Sequence, residues 1–437
     1  MNSKKYHGIN EYFINSKNMY ICVMFPYPSG NGLHCGHWYN YAIMDSYCRY
    51  LRYIGNDVFQ PFGYDAFGLP AENYAKKVNR NPKDVTEENI KTFRKQMDVM
   101  NTQYTELLVT SSTQYQKWTQ WLFLKLKEKG LAYKAFGKVN YCPSCQTVLA
   151  KEQVKDNKCD RCDTIIDIKE LNQWYFKTTS YKERLIKNLD WIDYPESTKN
   201  AQKKWLENLH DWCVSRQRKW GCQIPIEGET DTLDTFVDSS FYFVRYCDPY
   251  NENELCAKEK YKPVDLYVGG KEHACMHLIY ARFIHMFLYD IGIVSQEEPF
   301  NKVIHQGMIL NNGEKMSKSK GNVVNLDNYD SDEIRFYLMF IGHYFDGGEW
   351  SDKSFIGMKR FINRLKEWFK KEGTATIDLQ NFKETIFNYT KAFKFNKVVS
   401  SFMILLNKNK HLNLTTDCKN EITNLLEIYM PSIKYKL

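Results

Sequence analysis

The sequence predicts an α/β fold built around a nucleotide-binding βα unit, with further domains attached. Residues 19–25 (MYICVMF) form a short apolar run that favours a buried strand, and a turn rich in Pro, Ser and Gly follows at 26–30. From Gly36 to about Ile54, apolar residues recur at a spacing of three to four, which predicts a helix. A strand at 265–268, a Gly-Gly turn and a helix from about His273 to Ile291 repeat this order late in the chain. A strand, a glycine-rich turn and a helix together form the opening of nucleotide-binding α/β units.

Length and composition indicate several packed domains in a reducing compartment. The chain has 437 residues, of which 43% are hydrophobic and 15% aromatic, so extensive disorder is excluded. Its apolar runs are too short to span a bilayer, and the first residues lack the apolar segment of a signal peptide. The thirteen cysteines are an odd number and mostly scattered, which is typical of free thiols. We therefore expect a cytoplasmic monomer without a membrane partner.

Positive charge is concentrated at the C-terminal end. The net charge is +8, and residues 358–437 contain fifteen Lys or Arg against seven Asp or Glu. A basic segment of this kind is typical of nucleic-acid binding. A coding sequence biased towards A and T, which inflates the number of lysines, would give the same count. Charge alone does not distinguish these two origins.

Two histidines stand three residues apart at the start of the first predicted helix. His34 and His37 share one face of that helix, whose N-terminus presents backbone N–H groups and a partial positive charge. Gly36 lets a ligand approach the backbone closely. The arrangement suits a phosphate group, although a pair of this kind on its own is more often structural.

A lysine-rich loop follows about 280 residues later. Residues 313–322 (GEKMSKSKGN) contain three Lys and two Ser between glycines. Mobile ammonium groups suit a reaction whose transition state carries charge on phosphate oxygens. A loop of this composition without further context is usually a solvated turn.

Four cysteines form two Cys-x-x-Cys pairs. Cys142 and Cys145 are separated from Cys159 and Cys162 by thirteen residues, which is the spacing of a tetrahedral four-thiolate zinc site. A module this short needs a metal or a cross-link in order to fold. Two disulfides or free thiols are the alternatives. Because the four thiolates leave no open coordination position, we predict a structural Zn²⁺.

Together these motifs resemble the signatures of leucyl-tRNA synthetases, a family of class I aminoacyl-tRNA synthetases. Residues 24–37 (MFPYPSGNGLHCGH) and 60–75 (QPFGYDAFGLPAENYA) resemble the first signature, and 315–319 (KMSKS) matches the second. Residues 235–246 and 269–277 look like the strand of the amino-acid pocket and the ribose-binding helix. The resemblance covers roughly residues 20–437 and is loose after 350. It implies a Rossmann-like class I synthetase catalytic domain with a small zinc module and a truncated C-terminal α-helical bundle.

The resemblance also implies a role for individual residues. The catalytic candidates, at the phosphates of ATP, are His34, His37, Lys315 and Lys318. The other ATP-binding candidates are Gly36, Gly269, Gly270, Glu272, Gln306, Ser317 and Ser319. The amino-acid-binding candidates are Met24, Phe25, Tyr27, Asp65, Phe236, Ser239, Tyr242 and His277, with Asp65 at the ammonium group of the amino acid. The implied cofactors are ATP, Mg²⁺ and structural Zn²⁺.

The same resemblance divides the chain into five parts. We expect the first half of the catalytic domain at 1–140, the zinc module at 141–170, a connective stub at 171–210, the second half with the KMSKS loop at 211–357 and a partial helical anticodon-binding-type domain at 358–437. Only residues 206–210 lie between the segments that flank the editing domain in the family, so we expect that domain to be absent. The C-terminal tRNA-binding domain of the family also has no match.

The expected function is ATP-dependent activation of leucine to leucyl-adenylate and transfer to tRNA(Leu), without editing. Leucine, ATP and tRNA(Leu) are the expected partners. One alternative is a paralogue that forms an aminoacyl-adenylate for a non-tRNA acceptor in a specialised pathway. The other is a non-catalytic binding protein that has kept the pocket.

Overall fold

Strands and helices are interspersed as far as residue 349, and the described residues after that position form helices and their connections. The computed structural model of the protein describes residues 18–28, 30, 32–149, 153–159, 162–316, 322–324, 326 and 329–437. The strands are β1 (Asn18–Val23), β2 (Asp57–Phe59), β3 (Pro61–Tyr64), β4 (Thr105–Val109), β5 (Ala132–Cys142), β6 (Thr147–Leu149), β7 (Val154–Lys155), β8 (Lys158–Cys159), β9 (Asp167–Phe176), β10 (Trp212–Cys213), β11 (Ser215–Arg216), β12 (Thr232–Leu233), β13 (Leu266–Val268), β14 (Val303–Ile304), β15 (Met308–Asn311), β16 (Glu314–Lys315) and β17 (Gly347–Glu349). The helices are α1 (Cys35–Tyr53), α2 (Leu69–Lys77), α3 (Pro82–Val99), α4 (Thr113–Glu128), α5 (Lys182–Lys187), α6 (Glu196–Glu207), α7 (Thr235–Ser239), α8 (Tyr242–Cys247), α9 (His277–Asp290), α10 (Ser331–Phe340), α11 (Asp352–Phe369), α12 (Gln380–Lys391), α13 (Phe395–Asn409) and α14 (Thr416–Leu426).

The central sheet joins strands that lie far apart in the sequence. Its order is β14-β13-β1-β2, and every neighbouring pair is parallel. Ile21 of β1 pairs with Leu266 of β13, and Tyr20 pairs with Phe59 of β2. Strands that are buried on both faces of a parallel sheet are near-continuous apolar runs, as residues 20–23 are. The predicted α/β fold with a repeated βα unit is confirmed, and the strands of the two units, β1 and β13, are neighbours in the sheet.

The carboxyl ends of β1 and β13 lie side by side. The backbone N–H of Met24, just after β1, donates to the carbonyl oxygen of Val268 at 2.9 Å. Ligands of open α/β sheets bind at this edge, where the strand order changes direction. Helix α1 follows β1 as predicted, but α9 begins at His277 and not at His273, because residues 271–273 form a separate 3₁₀ turn.

A long antiparallel ribbon carries the cysteine-rich module. β5 and β9 pair over ten residues in a sheet of order β10-β9-β5-β6, and the β7–β8 hairpin follows β6. Cys142 ends β5 and Cys159 ends β8, so the ribbon and the hairpin bring both Cys-x-x-Cys pairs together. A small apolar cluster, which includes Leu69 and Ile166, packs around them.

The C-terminal helices pack against α1 and α10. Apolar residues of α11 recur at a spacing of three to four, including Phe355, Met358, Phe361 and Leu365, and they are buried in one core with residues of α1. Helices α10 and α13 also contact each other, as do α1 and α12. None of the helices in the described residues is long and apolar enough to cross a bilayer.

A buried ion pair joins these parts. Arg335 of α10 donates to Oδ2 of Asp45 in α1 at 2.8 Å, and both side chains are 0% exposed. Arg49 donates to the same oxygen at 2.8 Å, and the N–H of Gln103 donates to Oδ1 at 2.7 Å. Burial acts to raise the pKa of Asp45, but the two arginines and the backbone donor hold it below its ordinary value. Arg335 also donates to the carbonyl oxygen of Tyr429, beyond α14.

We expect Arg335→Met to lower the free energy of unfolding by about 3–5 kcal/mol, because it leaves one buried charge with incomplete compensation. Urea unfolding followed by circular dichroism measures this change. The double variant Asp45→Asn/Arg335→Met should recover part of the loss. Lys370→Met is the control, since the ion pair between Lys370 and Glu367 is well exposed and should contribute nothing measurable. Unfolding of Arg335→Met at the urea concentration of the control would contradict this role.

Candidate active site

A cavity of about 660 Å³ opens at the carboxyl ends of β1 and β13. Ten of the predicted site residues border it: Met24, Phe25, Tyr27, His34, Gly36, His37, Phe236, Gly270, Glu272 and Gln306. Five others do not border the cavity but contact its wall: Asp65, Ser239, Tyr242, Gly269 and His277. The fold therefore brings residues from positions 24 to 306 into one place.

The two histidines cap helix α1. His34 is the N-cap residue, and its Nδ1 accepts a hydrogen bond from the N–H of Gly36 at 3.1 Å. Nδ1 of His37 accepts from the N–H of His34, also at 3.1 Å, so the two side chains form a reciprocal capping box. A ring nitrogen that accepts carries no proton, so in each neutral ring the proton lies on Nε2. Each Nε2–H is then a donor suited to a phosphate oxygen.

Asp65 is a buried carboxyl group held by two threonines. Its side chain is almost fully buried, and its Oδ1 accepts from the hydroxyl of Thr235 at 3.1 Å and from that of Thr110 at 3.4 Å. Its backbone N–H donates to the carbonyl oxygen of Pro26, which borders the cavity. Among the described residues, no Lys or Arg forms an ion pair with this carboxyl group.

Burial and neighbouring charge control the ionisation of Asp65. Burial raises its pKa to about 8; the two threonine hydroxyls act to lower the pKa, and the negative charge of Asp234 raises it. Asp238 lies deeper, and burial together with the charge of Asp65 raises its pKa well above the ordinary value. Within the described residues, its Oδ2 is buried without a hydrogen-bond partner. A cation that binds beside Asp65 would therefore stabilise a carboxylate that has no countercharge among the described residues.

Aromatic and imidazole rings form the side of the cavity near Phe25. The ring of Phe25 stacks on that of Tyr242, with the centroids 4.0 Å apart. Behind them, the hydroxyl of Tyr267 lies 2.9 Å from that of Tyr242 and 2.7 Å from Nε2 of His277. Burial, aided by the charge of His273, lowers the pKa of His277 to about 3, so this imidazole is neutral. Nδ1 of His277 lies 3.5 Å from the hydroxyl of Ser239.

The predicted strand of the amino-acid pocket is wrong. Residues 235–246 form the two short helices α7 and α8. Asp234 caps α7 by accepting from the N–H of Phe236, and Arg216 forms a buried ion pair with Asp234. Tyr267, His273 and Cys275 also lie at this site and were not among the predicted residues, although Tyr267 stands two residues before the Gly-Gly turn. His273 and Cys275 border the cavity on either side of Ala274.

Backbone and amide groups form another part of the wall. A Cβ atom at position 270 would lie 2.3 Å from Oε2 of Glu272, so a larger residue there would displace the carboxyl group of Glu272 from its present position. Oε1 of Gln306 is buried and, within the described residues, has no hydrogen-bond partner. Gly269 lies behind this wall, where its carbonyl oxygen contacts Nδ1 of His305 at 2.8 Å. An acceptor without a partner on a cavity wall is suited to a ligand donor.

The lysine-rich loop begins at the edge of the cavity. β16 pairs with β15 so that Lys315 lies opposite Leu310, and Met316 borders the cavity. The predicted residues Ser317, Lys318 and Ser319 lie outside the described residues, as does the side chain of Lys315. Met316, the last described residue before these positions, borders the same cavity as His34 and His37.

The four clustered cysteines have the geometry of a metal site. The Sγ atoms of Cys142, Cys145, Cys159 and Cys162 all lie within 4.8 Å of one another. Sγ of Cys162 is 3.5 Å from those of Cys142 and Cys145, which is too long for a disulfide. A tetrahedral ion with bonds of about 2.3 Å places its sulfur ligands roughly 3.8 Å apart. The donor set therefore fits a thiophilic metal ion.

Two family models match the chain. Residues 2–227 match the model described as tRNA synthetases class I (I, L, M and V). Residues 145–366 match the model described as tRNA synthetases class I (M).

Curated relatives cover most of the chain. A leucine–tRNA ligase of Clostridium botulinum (strain Hall) is 32% identical over an alignment that covers 87% of this chain and 77% of the relative. A leucine–tRNA ligase of Caldanaerobacter subterraneus subsp. tengcongensis is 30% identical over 90% of this chain and 81% of the relative. The first alignment runs over 632 residues, more than this chain contains, so part of the relative has no counterpart here.

Solved structures share the fold. The agnB2 LeuRS of Agrobacterium radiobacter K84, in a ternary complex with tRNA and LeuAMS, superposes with a TM-score of 0.86 at 24% identity, over 95% of this chain and 84% of that one. Methionyl-tRNA synthetase of Mycobacterium tuberculosis, in complex with methionyl-adenylate, gives a TM-score of 0.75 at 19% identity, over 96% and 93%. These likenesses confirm the predicted class I synthetase fold. By its matches to the family model and to the curated relatives, the chain belongs to the leucine–tRNA ligase family of class I tRNA synthetases and is an aminoacyl-tRNA ligase.

Proposed function

We propose that this protein activates leucine with ATP to form leucyl-adenylate and transfers the leucyl group to tRNA(Leu). The observation that carries this proposal is a buried carboxyl group without a countercharge, Asp65, in contact with the wall of a cavity that also contains the His34/His37 helix start. The relatives named leucine–tRNA ligase and the LeuRS complex with tRNA and LeuAMS support the same substrates.

The first step joins the amino acid to the nucleotide. A carboxylate oxygen of leucine attacks the α-phosphorus of ATP, a new P–O bond forms, and the bond to the β-phosphate breaks to release pyrophosphate. Nε2–H of His34 and of His37 donate to phosphate oxygens, and Lys315 and Lys318 neutralise the departing pyrophosphate. Mg²⁺ bound with ATP would supply further charge neutralisation. The protein contributes positioning and charge, and no side chain forms a covalent intermediate.

The second step moves the leucyl group to RNA. A hydroxyl group of the 3′-terminal adenosine attacks the carbonyl carbon of the adenylate, and AMP leaves with the electron pair of the broken C–O bond. We propose that the basic helices α11 to α14 contribute to tRNA binding, since residues 358–437 carry the net positive charge of the chain. The division of the chain into the five parts given above belongs to this proposal.

We further propose that selectivity depends on the amino-acid pocket, without an editing domain. Helix α6 ends at Glu207 and β10 begins at Trp212, so the connection where the family inserts that domain is only a few residues long. One methylene group in an apolar pocket is worth about 1–3 kcal/mol of discrimination. The rings of Phe25, which stacks on Tyr242, and of Phe236 would therefore carry all the discrimination against smaller amino acids.

The proposal predicts how leucine binding depends on pH. Asp65 with a pKa of about 8 is largely protonated at pH 7, and the ammonium group of leucine favours its carboxylate form. Binding below pH 8 therefore releases a proton, and the Kd for leucine should fall about tenfold per pH unit as the pH rises towards 8. Titration calorimetry between pH 6 and 9, in buffers of different ionisation enthalpy, measures both quantities.

Matched variants identify the group responsible for this pH dependence. Asp65→Asn should abolish it and weaken binding at every pH. Thr235→Val removes a hydrogen bond that favours the carboxylate and should move the midpoint to higher pH, whereas Thr235→Ser should keep it. Proton release of the same size in wild type and Asp65→Asn would show that another group titrates.

We propose that the four cysteines bind one structural Zn²⁺. The purified protein should contain one zinc per chain, and Cys159→Ser should reduce that content to near zero and lower the midpoint of thermal unfolding. Metal analysis and calorimetry measure the two effects. Cys213→Ser is the control, because Cys213 lies outside the four-thiol cluster. Full metal content in Cys159→Ser, or a metal-free wild type of unchanged stability, would contradict a structural zinc.

Pyrophosphate exchange across a panel of amino acids, with and without tRNA, tests the whole proposal. We expect exchange that depends on leucine, together with charging of tRNA(Leu). Lys318→Ala should lower exchange by about 10²–10³-fold while leucine binding persists. Exchange without charging would favour the paralogue that serves a non-tRNA acceptor. Leucine binding without pyrophosphate exchange would favour the non-catalytic binding protein.

A further inference from the structure

The cysteine-rich module contributes residues to the cavity. Gln153 and Lys155 of this module border the cavity, together with Trp205 of α6. Val154 between them packs against the cysteine cluster. Alternate residues of a strand point to opposite faces, so this short strand faces the metal site on one side and the cavity on the other.

The hairpin that carries Lys155 has a defined shape. Val154 pairs with Cys159 and Lys155 pairs with Lys158 across a two-residue turn. The turn residues Asp156 and Asn157 both have positive φ angles, 49° and 61°, as in the tight turns that match the twist of paired strands. Cys159 belongs to the four-thiol cluster, so the hairpin is fixed at the residue next to Lys158. The position of the Lys155 backbone is therefore set by the module.

Lys155 brings an available positive charge to the cavity. Among the described residues that border the cavity, it is the one Lys or Arg. It is exposed, and within the described part of the chain no ion pair or hydrogen bond occupies its ammonium group. Its long side chain is flexible and acts as a point charge, which suits a phosphate oxygen.

We propose that Lys155 binds a phosphate group of a substrate in this cavity. The inference rests on the proposed function, because two of the three substrates of an aminoacyl-tRNA ligase carry phosphate, namely ATP and tRNA. An ammonium group on a mobile stem contacts either kind of phosphate oxygen without reading a base. The module thereby has a substrate-binding role in addition to its structural one.

Three variants in the full-length protein test this role. Lys155→Gln removes the charge, Lys155→Arg keeps it, and Lys158→Gln removes a lysine of the same hairpin that does not border the cavity. Zinc content and thermal unfolding should match wild type in all three, since both lysines are exposed. The KM for ATP is measured by pyrophosphate exchange and the KM for tRNA by charging, each at several salt concentrations.

We expect Lys155→Gln to raise either the KM for ATP or the KM for tRNA about tenfold. Lys155→Arg should restore the wild-type value, and Lys158→Gln should leave both KM values unchanged. A rise confined to ATP identifies the nucleotide as the source of the phosphate. A rise confined to tRNA, with the slope of log KM against log salt reduced by about 0.7, identifies the single-stranded RNA end. Equal values for Lys155→Gln and Lys158→Gln in both assays, or a fall in kcat alone, would overturn the inference. Absence of pyrophosphate exchange by the wild-type protein would instead contradict the proposed function.

Discussion

The buried ion pair between Asp45 and Arg335 fixes helix α1 relative to helix α10. Asp45 lies on α1, the helix that His34 caps, and Arg335 lies on α10, the first helix after the lysine-rich loop. Charges buried in a protein interior must remain paired, because a separated charge loses its hydration without compensation. α1 cannot therefore move away from α10 at low energetic cost, and the N-terminus of α1, where we propose that phosphate binds, keeps its place relative to α10. The contact of Arg335 with the carbonyl oxygen of Tyr429 extends the same constraint to the C-terminal helices.

In the described part of the chain, the candidate active site contains a carboxyl group without a countercharge and a buried acceptor without a donor. Asp65 has no cationic partner among the described residues, and Oε1 of Gln306 is buried without a donor in the same set. A buried acceptor without a donor, such as Oε1 of Gln306, destabilises the fold by roughly 1–3 kcal/mol. A ligand with an ammonium group and a hydroxyl or amino donor would remove this penalty, so part of its binding free energy comes from defects already present in the free protein. The neutral network of Tyr242, Tyr267 and His277 is complete by comparison and forms a fixed wall.

Local motifs made the site predictable, and long-range contacts limited the prediction. His34, His37 and the four cysteines belong to short patterns whose spacing carries the chemistry, and the structure brings the members of each pattern together. The family resemblance implied a strand at 235–246, and the short aromatic and apolar run there does not distinguish a strand from a buried helix. Asp234 favours the helix, because it caps α7 and is held in place by its ion pair with Arg216. Arg335 lies 290 residues from Asp45, and Lys155 meets the cavity only through the fold of the module, so neither contact could be inferred from spacing.

The order of the central sheet has a consequence for synthesis on the ribosome. β1 is made first, yet it is an interior strand, and Tyr20 is separated by 245 residues from Asp265, to whose side chain it bonds beside β13. Translation at ordinary rates takes about 10 to 50 seconds to cover that interval. Throughout it, one edge of an apolar strand has no partner and is open to pairing with other chains. A circular permutant in which β13 precedes β1 would shorten this exposure without altering the final sheet.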